Sequence, residues 1–457
     1  MKSRARATTA REKKIGLNNV TEVAADELCT GCGTCVAVCP FSAVSIKISD
    51  GLLLPAVDES KCTGCRKCLE CCPGRSVNLR KMNSEVFGKQ PEDPVLGNFL
   101  QCYIGHSNDS GICSASSSGG VVTHLLVYAL EKGLIDGAVV ARMKKGDPLK
   151  TEVVVARTRG EIISASKSKY CPVATNVVLK AISAENGRFA VVGLPCHMHG
   201  IRMAEALSDE LKSRIVLHVG LFCGHTVSFE GTEVLLRKLR VNRDQVEKIE
   251  YRGHGWPGSM SVKLKNGRGK QFRFNKDWKA YWNLFSPFFF TPLRCLMCPD
   301  LFNEVSDISA GDAWLPEFAG SRTGQSVIIS RTSAAERMLG DMLKEKAVWL
   351  KTVPSSKIIE SQAFSFNFKK ENLSGRLSVF GMLGKKAPHI DPEPCRPRAV
   401  ASIGGIVSYC SHRFSSSKRL RFMLIYAPLP LFRAYFGIFR CISILSANPR
   451  RFRQSRE

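Results

Sequence analysis

The sequence has no uninterrupted apolar run of about 18 residues, the length that a membrane-spanning helix needs. Its first twenty residues contain no apolar stretch either, so a secretory signal is not predicted and the cysteines are expected to stay reduced in the cytoplasm. Acidic residues are scarce, with 40 Asp and Glu against 66 Lys and Arg. Apolar residues make up 44% of the chain, which excludes a wholly disordered protein.

Much of the net charge of +26 lies at the two ends of the 457-residue chain. Residues 1–14 carry six Lys or Arg and one Glu, and residues 395–457 carry twelve and one. A nucleic-acid binder is expected to have a basic body with interleaved aromatics, whereas this body is only mildly basic. No nucleic-acid partner is therefore predicted, and the basic ends suit acidic proteins or anionic lipid.

Cysteine is abundant, with 19 residues, and eight of them form an internal repeat. Two runs have the spacing C-x2-C-x2-C-x3-C-P and end at Pro40 and Pro73. This is the spacing of bacterial two-cluster ferredoxins, in which the fourth cysteine of each run binds the other cluster. We predict one 4Fe-4S cluster on Cys29, Cys32, Cys35 and Cys72, and a second on Cys62, Cys65, Cys68 and Cys39.

Zinc is the alternative metal, because it also binds four thiolates in paired C-x2-C form. Zinc sites rarely use runs of three cysteines, so the clusters are favoured. No role is predicted for Cys71, Cys102, Cys113 or Cys171.

A Ser-rich segment, residues 114–120, leads directly into a helical apolar pattern that Gly133 ends. A loop of small residues that opens a helix can seat a phosphate, because free N–H groups and the helix dipole face the anion. The alternative is a solvated loop that caps a core helix. The segment alone does not decide between the two.

Short buried strands are predicted at residues 137–141, 189–192 and 215–221, and the last two are followed by Cys196 and Cys223. Ligands collect at the carboxyl ends of strands in an open α/β sheet. We expect these two cysteines to share one crevice with the Ser-rich loop. Cys295 and Cys298 have ligand spacing, so four thiols are available for a third cluster, although buried thiols are also common in protein cores.

A β-hairpin is predicted at Asn266-Gly267, between residues 261–265 and 270–274. Its basic residues are interpreted as a solvated face.

Seven short motifs between about residues 100 and 350 resemble, in the same order, the beta subunits of coenzyme F420 hydrogenases and dehydrogenases. They are S-S-G-G at 117–120 with Thr123, S-K-Y at 168–170, V-G-L-P-C at 192–196, L-F-C at 221–223, the stretch 252–258 around G-W-P, the cysteine pair at 295 and 298, and the stretch 307–314 with G-D at 311–312. Cys171 and the extension after about residue 395 depart from this family's pattern. Membership in such a family does not fix a substrate.

The resemblance implies an α/β flavoprotein core that binds FAD, behind an α+β ferredoxin-like N-terminal domain. It implies a cluster on Cys196, Cys223, Cys295 and Cys298. It also makes six residues candidates for the flavin site: Ser118, Gly119, Gly120, Thr123, Lys169 and Tyr170. The predicted organisation is a basic tail (1–20), a ferredoxin domain (21–85), two parts of the core (98–182 and 183–355) and a basic, aromatic extension (395–457).

The predicted function is that of an iron-sulfur flavoprotein oxidoreductase. Electrons would move between the one-electron clusters and a two-electron substrate, coenzyme F420 or another conjugated acceptor, through FAD. The alternative is an electron-relay subunit of a larger redox complex, without a substrate of its own. A redox partner protein is expected in either case, and no catalytic acid or base is named.

The C-terminal stretch 422–445 is apolar but contains Arg433, Arg440, Pro428 and Pro430, which disfavours spanning a membrane. A peripheral position at the inner face of an anionic membrane is predicted instead, with the aromatics in the interface. Basic residues on both sides would face the headgroups: Arg413, Lys418, Arg419, Arg421, Arg450, Arg451, Arg453 and Arg456. The alternative is a helix that docks on the body or on a partner subunit.

Overall fold

The computed structural model describes residues 19–273, 285–394 and 399–446. The following parts of the sequence predictions lie outside the described residues: the first 18 residues of the basic tail, Phe274 at the end of the hairpin, residues 395–398 of the extension, and the terminal Arg450, Arg451, Arg453 and Arg456.

The strands, in chain order, are β1 (Val44–Ser49), β2 (Leu52–Val57), β3 (Ser76–Asn78), β4 (Gln101–Ser107), β5 (Gly137–Lys144), β6 (Asp147–Ala156), β7 (Phe189–Gly193), β8 (Ile215–Leu221), β9 (Val246–Glu250), β10 (Ser259–Leu264), β11 (Gly269–Arg273), β12 (Ile308–Asp312), β13 (Ser326–Ser330), β14 (Val348–Thr352) and β15 (His389–Asp391). The α-helices are Thr21–Ala25, Thr34–Ala37, Lys67–Glu70, Leu79–Phe87, Ser110–Ala115, Val121–Glu131, Arg159–Ser164, Leu179–Ala184, Pro195–Glu205, Asp209–Arg214, Phe229–Lys238, Leu293–Leu296, Ser333–Lys344, Ser355–Ser361, Ala363–Phe366, Leu373–Met382, Ala399–Ser416, Lys418–Tyr426 and Leu429–Ser446. Thr175–Val178, Arg243–Gln245 and Pro316–Phe318 are 3₁₀ turns, and Asn367–Glu371 is a π-helical turn.

The α/β core is built on one eight-stranded sheet with the order β14-β4-β13-β12-β8-β7-β5-β6. The central strands β12, β8, β7 and β5 run parallel to their neighbours in this group. Their small and β-branched residues, such as Val139, Ala190 and Val191, are buried, as expected for strands covered on both faces. Both predicted parts of the core contribute strands to this one sheet.

The predicted strands at 189–192 and 215–221 are β7 and β8, and the strand predicted at 137–141 continues to Lys144 because β5 also pairs with β6. The hairpin at Asn266-Gly267 joins β10 to β11, in register from Ser259 opposite Arg273.

The helix predicted after the Ser-rich segment is Val121–Glu131, which buries Leu125, Leu126 and Ala129 on the sheet. The prediction of a loop from residue 114 onwards was wrong at its start, because Ser114 belongs to the helix Ser110–Ala115. Asp109 caps that helix, and its Oδ1 accepts a hydrogen bond of 2.9 Å from the N–H of Ile112. The loop is therefore confined to residues 116–120.

The ferredoxin segment is packed into the core rather than attached to it by a flexible linker. Its apolar residues Leu28, Val44 and Leu69 share one hydrophobic cluster with Leu293 and Phe380 of the later chain. Strand β3 pairs in parallel with β15. The segment therefore folds as part of the whole chain.

A buried ionic network lies between β8, β12 and the helix Pro195–Glu205. His218 is 2.7 Å from Glu205 Oε1 through Nε2, and 2.9 Å from Asp307 Oδ2 through Nδ1. Burial and the nearby Arg202 lower the pKa of His218, but the two carboxylates outweigh them and leave it above its ordinary value.

Within residues 399–446 the C-terminal extension forms three helices, and several of its aromatic side chains pack on the body. Phe289 lies 6.1 Å from Phe432 and 5.4 Å from Tyr435, and Phe288 lies 5.3 Å from Phe439, between ring centroids. The expectation that these aromatics enter a membrane interface was therefore wrong, because their side chains fill the protein's own core.

Within the described ranges, no single helix is long and apolar enough to cross a membrane. The helices Lys418–Tyr426 and Pro430–Ile442 satisfy length and composition only as a pair, and they are bent by 111°.

Candidate electron-transfer site

The two cysteine runs of the ferredoxin segment bring their thiols together in the crossed pattern that the spacing predicts. Cys29 interacts electrostatically with Cys32 and Cys72, and Cys35 interacts with the same set. Burial, followed by the neighbouring thiols, raises the pKa of Cys29 to about 12, and burial raises that of Cys72 to about 11. Thiols of this kind become thiolates readily only when a cation or metal is bound.

The second set is grouped in the same way, around Cys68. Its thiol interacts with Cys65 and Cys62 of its own run and with Cys39 of the other run, while burial raises its pKa. Cys65 is exposed, whereas Cys39 and Cys68 are buried. The second set therefore lies nearer to the surface of the molecule than the first.

A third group of cysteines lies where β7 and β8 end. Cys196 is at the start of the helix Pro195–Glu205, and Cys223 follows β8. Cys295 lies in the short helix Leu293–Leu296, and Cys298 follows it. Cys196 is partly buried, and its thiol interacts electrostatically with the other three and also with Cys32 of the ferredoxin segment. These four positions are called the core quartet below.

One cavity joins the core quartet to the first ferredoxin set. Its walls include all four quartet cysteines together with Cys29, Thr30 and Gly31. Asn176 holds the first set against the core through two hydrogen bonds. Its backbone N–H donates to Cys32 O at 2.9 Å, and its side-chain Nδ2 donates to Thr34 Oγ1 at 2.8 Å. The first set therefore faces the core, and the second faces outward.

Three buried cations surround the core quartet. Lys369 Nζ lies 3.3 Å from Cys298 Sγ, and the Arg376 guanidinium interacts electrostatically with the same thiol. Arg294 donates to the carbonyls of Pro73 and Gly74, at 2.8 and 3.2 Å, beside Cys72 of the first set. Buried cations require an anionic partner, and clustered thiolates can provide one.

Sets of four thiolates are ligands of zinc as well as of iron-sulfur clusters. Zinc needs thiolates at about 2.3 Å from the metal. Among the residues that the structure describes, no three His, Cys, Asp or Glu side chains are close enough to hold one ion. The donors and their cationic surroundings fit a larger anionic group such as 4Fe-4S, and their role as ligands remains a prediction.

The Ser-rich loop lies at the same edge of the sheet as the quartet. Ser118 Oγ donates to Asp312 Oδ1 at 2.6 Å, at the end of β12. Gly120 has φ +76° and begins the helix that contains Thr123. A Cβ on Gly119 would lie 2.7 Å from both Gly105 O and Ser326 N, so packing within the protein itself already requires glycine there.

Lys169 uses its ammonium group within its own loop. Its Nζ donates to the carbonyls of Ala165, Ser166 and Lys167, the last two at 2.7 and 2.8 Å. Burial lowers the pKa of Lys169 to about 7. These bonds close the end of the helix Arg159–Ser164, which gives the lysine a structural explanation independent of any flavin.

Tyr170, the last of the predicted flavin residues, is next to an aromatic and ionic group. Its side chain hydrogen-bonds to Ser168 and to Arg252, which is paired with Asp312. The Arg252 guanidinium lies 5.0 Å from the Trp256 ring and 4.9 Å from the Trp314 ring. In the sequence, Arg252, Trp256, Asp312 and Trp314 belong to two separate motifs, 252–258 and 307–314. In the structure the two motifs meet around the Arg252 guanidinium.

Sequence reasoning missed the cations around the quartet. Arg294 precedes Cys295, and that adjacency was an available signal. Lys369 and Arg376 follow the cysteine pair by some seventy residues, and nothing in their spacing indicates a contact.

The fold and these cysteine sets define an iron-sulfur redox protein. Residues 28–77 match the 4Fe-4S dicluster domain. Residues 102–180 and 186–356 match the N-terminal and C-terminal parts of the coenzyme F420 hydrogenase/dehydrogenase beta subunit, together more than half of the chain. The chain belongs to this beta subunit family.

Relatives include the coenzyme F420 hydrogenase subunit beta of Methanothermobacter thermautotrophicus, 29% identical over 54% of this chain and 82% of the relative. The coenzyme F420-dependent sulfite reductase of Methanocaldococcus jannaschii is 26% identical over 80% of this chain, which spans about half (55%) of that protein. A chain of the F420-reducing NiFe hydrogenase complex of Methanosarcina barkeri has the same fold, with a TM-score of 0.50 over 66% of this chain and 99% of that chain, at 22% identity.

Proposed function

We propose that this protein transfers electrons between a one-electron partner protein and a two-electron substrate, coenzyme F420 or another conjugated acceptor, through three 4Fe-4S clusters and FAD. The observation that carries the proposal is the cavity shared by the first ferredoxin set and the core quartet. A cluster on each set would form one continuous series. The exposed Cys65 marks the outer end, where a partner protein can approach.

The chain's own residues would hold and order these groups. Twelve cysteines would supply the thiolates, with Cys32, Cys35 and Cys72 of the first set buried and the four cysteines of the quartet partly buried. Arg294 ties the ferredoxin segment to the quartet through the carbonyls of Pro73 and Gly74. A bound flavin supplies the change from one-electron to two-electron chemistry.

The flavin would be held by the helix that begins at Gly120, with Ser118 and Tyr170 at the same edge of the sheet. A helix N-terminus attracts the pyrophosphate of FAD. The names of the relatives, among them a coenzyme F420 hydrogenase subunit and a coenzyme F420-dependent sulfite reductase, support F420 as the first substrate to test.

The electron-relay alternative is also supported by an observation. Gly119 and Lys169 are both explained by contacts within the chain, so neither requires a flavin. A relay would contain iron but no flavin, and it would reduce no substrate by itself.

The deciding experiment is anaerobic purification of the full chain, followed by assays of iron, sulfide and flavin and of reduction of F420 by a one-electron donor. Bound FAD with F420 turnover supports the oxidoreductase. A protein that contains iron but binds no FAD, even after incubation with excess FAD, would support the electron-relay alternative. Absence of iron would refute both.

We further propose peripheral contact with the inner face of an anionic membrane through the helix Lys418–Tyr426. Phe422, Met423 and Tyr426 are 56%, 57% and 70% exposed, beside the exposed Lys418 and Arg419. Exposed apolar residues flanked by cations are typical of interfacial helices. The test is cosedimentation of the full chain with phosphatidylserine and phosphatidylcholine vesicles, and equal binding to both would refute the electrostatic contribution.

A further inference from the structure

Two of the cations at the core quartet come from the chain beyond the family's matched region. Residue 356 ends that match, whereas Lys369 lies in the π-helical turn Asn367–Glu371 and Arg376 in the helix Leu373–Met382. Irregular turns of this kind are frequent at functional sites. This later segment therefore completes the surroundings of the quartet.

Both cations are fully buried, and each is only 1% exposed. Lys369 Nζ donates to Cys298 Sγ at 3.3 Å and to the backbone O of Asp300 at 2.8 Å. Arg376 donates through Nε to Leu296 O at 2.8 Å, and its face lies 3.5 Å from the centre of the Phe368 ring.

Neither cation has a carboxylate as a hydrogen-bonded ion-pair partner within residues 19–273, 285–394 and 399–446. Arg376 Nη2 is buried and has no hydrogen-bond acceptor there. Lys370 is different, because it pairs with Glu304. Lys369 interacts electrostatically with Cys298, Cys223 and Cys295 and with the buried carboxylate of Asp300, and Arg376 interacts with Cys298. Negative charge on the quartet would therefore offset the cost of burying both cations.

We propose that Lys369 and Arg376 hold the reduction potential of a cluster on the core quartet above the potentials of the two ferredoxin clusters. The inference rests on the proposed third cluster. Reduction adds one negative charge to the cluster, and a nearby buried cation stabilises the reduced form more than the oxidised form. A hydrogen bond to a ligand sulfur acts in the same direction.

The cations next to the second ferredoxin set in sequence, Lys61, Arg66 and Lys67, are exposed, so solvent screens them more than it screens the buried Lys369 and Arg376. Arg294 is the cation beside Cys72, and it is shared with Cys295 of the quartet. The second set includes the exposed Cys65, where water and salt screen charges. The core cluster is therefore expected to be the first of the three to be reduced.

The test is a redox titration of the full chain, followed by electron paramagnetic resonance, in the wild type, Lys369→Gln, Lys369→Arg and Lys370→Gln. Three one-electron steps are expected in the wild type. In Lys369→Gln, the ratio of reduced to oxidised cluster in the highest step should fall roughly tenfold at a fixed ambient potential, or about 59 mV for one electron. Lys369→Arg should restore most of the loss, and Lys370→Gln, which removes a cation that is paired with Glu304 and does not contact a quartet thiol, should shift the highest step less than Lys369→Gln does.

Each outcome decides the question. An unchanged highest step in Lys369→Gln, or a shift of a lower step, overturns the proposal while leaving the third cluster in place. Two reduction steps and about eight iron atoms in the wild type would show that the chain has no third cluster, and the present proposal would then be refuted as well. If Lys369→Gln loses iron, Arg376→Gln is titrated in the same way. Loss of about four iron atoms in both variants would show that Lys369 and Arg376 support the structure of the site and do not set its potential.

Discussion

Substituting cysteines in pairs tests the assignment of the twelve ligands. Four iron atoms per cluster predict about twelve iron atoms in the full chain purified without oxygen. Cys223→Ser with Cys298→Ser removes two of the four thiols of the core quartet and should leave about eight. Cys62→Ser with Cys65→Ser should also leave about eight, because it removes two of the four thiols of the outer ferredoxin set.

The matched control is Cys71→Ser. Cys71 is buried, and its Sγ donates to Met203 O at 3.5 Å. Its thiol also interacts electrostatically with Cys72, Cys32 and Cys68, so it lies among the same cysteines as the predicted ligands. The crossed pattern leaves it out, and the variant should keep about twelve iron atoms. Iron and acid-labile sulfide per chain are the measurements. Twelve iron atoms retained in the Cys223 and Cys298 variant, or zinc in place of iron, would refute the reasoning.

Deleting the ferredoxin segment would be a poorer test. Leu28, Val44 and Leu69 share a hydrophobic cluster with Phe380, and β3 pairs with β15. Removing residues 1–85 would expose that apolar surface, so iron could be lost from the quartet through misfolding alone. Point substitutions keep the core intact.

Three further outcomes are expected. Gly120→Asp should abolish FAD binding, because its carboxylate repels the pyrophosphate. Gly120→Asn has the same shape, tolerates positive φ and carries no charge, so it should retain much of the binding. Equal loss of FAD binding in both variants, measured by titration, would refute a flavin site at this helix. Phe422→Glu should weaken sedimentation with anionic vesicles several-fold, and the exposed control Leu207→Glu should not; identical behaviour would refute the membrane contact. Because the folded protein raises the pKa of His218, the stability that its ion pairs contribute is complete below about pH 6.5 and is lost as the pH rises through the folded pKa. His218→Gln should therefore lower the thermal midpoint more at about pH 6 than at about pH 9. An equal fall at both pH values would contradict this.

Local patterns predicted the parts of the molecule that depend on near neighbours in sequence. Cysteine spacing anticipated the crossed grouping in which Cys35 meets Cys72 and Cys68 meets Cys39, because two copies of one local spacing identify the two-cluster arrangement even though the contacts join separate runs. The strands β7 and β8 followed from continuous apolar runs, which parallel strands require. The helix Val121–Glu131 followed from its apolar periodicity and its flanking glycines.

Long-range contacts were not predictable from these patterns. Nothing in the sequence shows that Lys369 meets Cys298, since 71 positions separate them. Lys169 was assigned to the flavin site through the family resemblance, and only its position shows that three carbonyls of its own loop occupy the ammonium. Phe432, Tyr435 and Phe439 were misplaced because an apolar face has the same pattern whether lipid or protein covers it.

The strand register also determines how close the loop proposed for the flavin lies to the core quartet. Strands β8 and β12 are parallel neighbours, with Ala310 opposite Leu221, and the chain leaves this pairing before Cys223, whose backbone N–H donates to Leu301 O at 3.0 Å. Neighbouring strands are about 4.8 Å apart, and Ser118 bonds directly to Asp312. Cys223, which follows β8, and the Ser-rich loop, which bonds to the end of β12, therefore lie at one edge of the sheet, at the ends of neighbouring strands. That shared edge is the arrangement that electron transfer from a cluster on the quartet to a flavin on the loop would require.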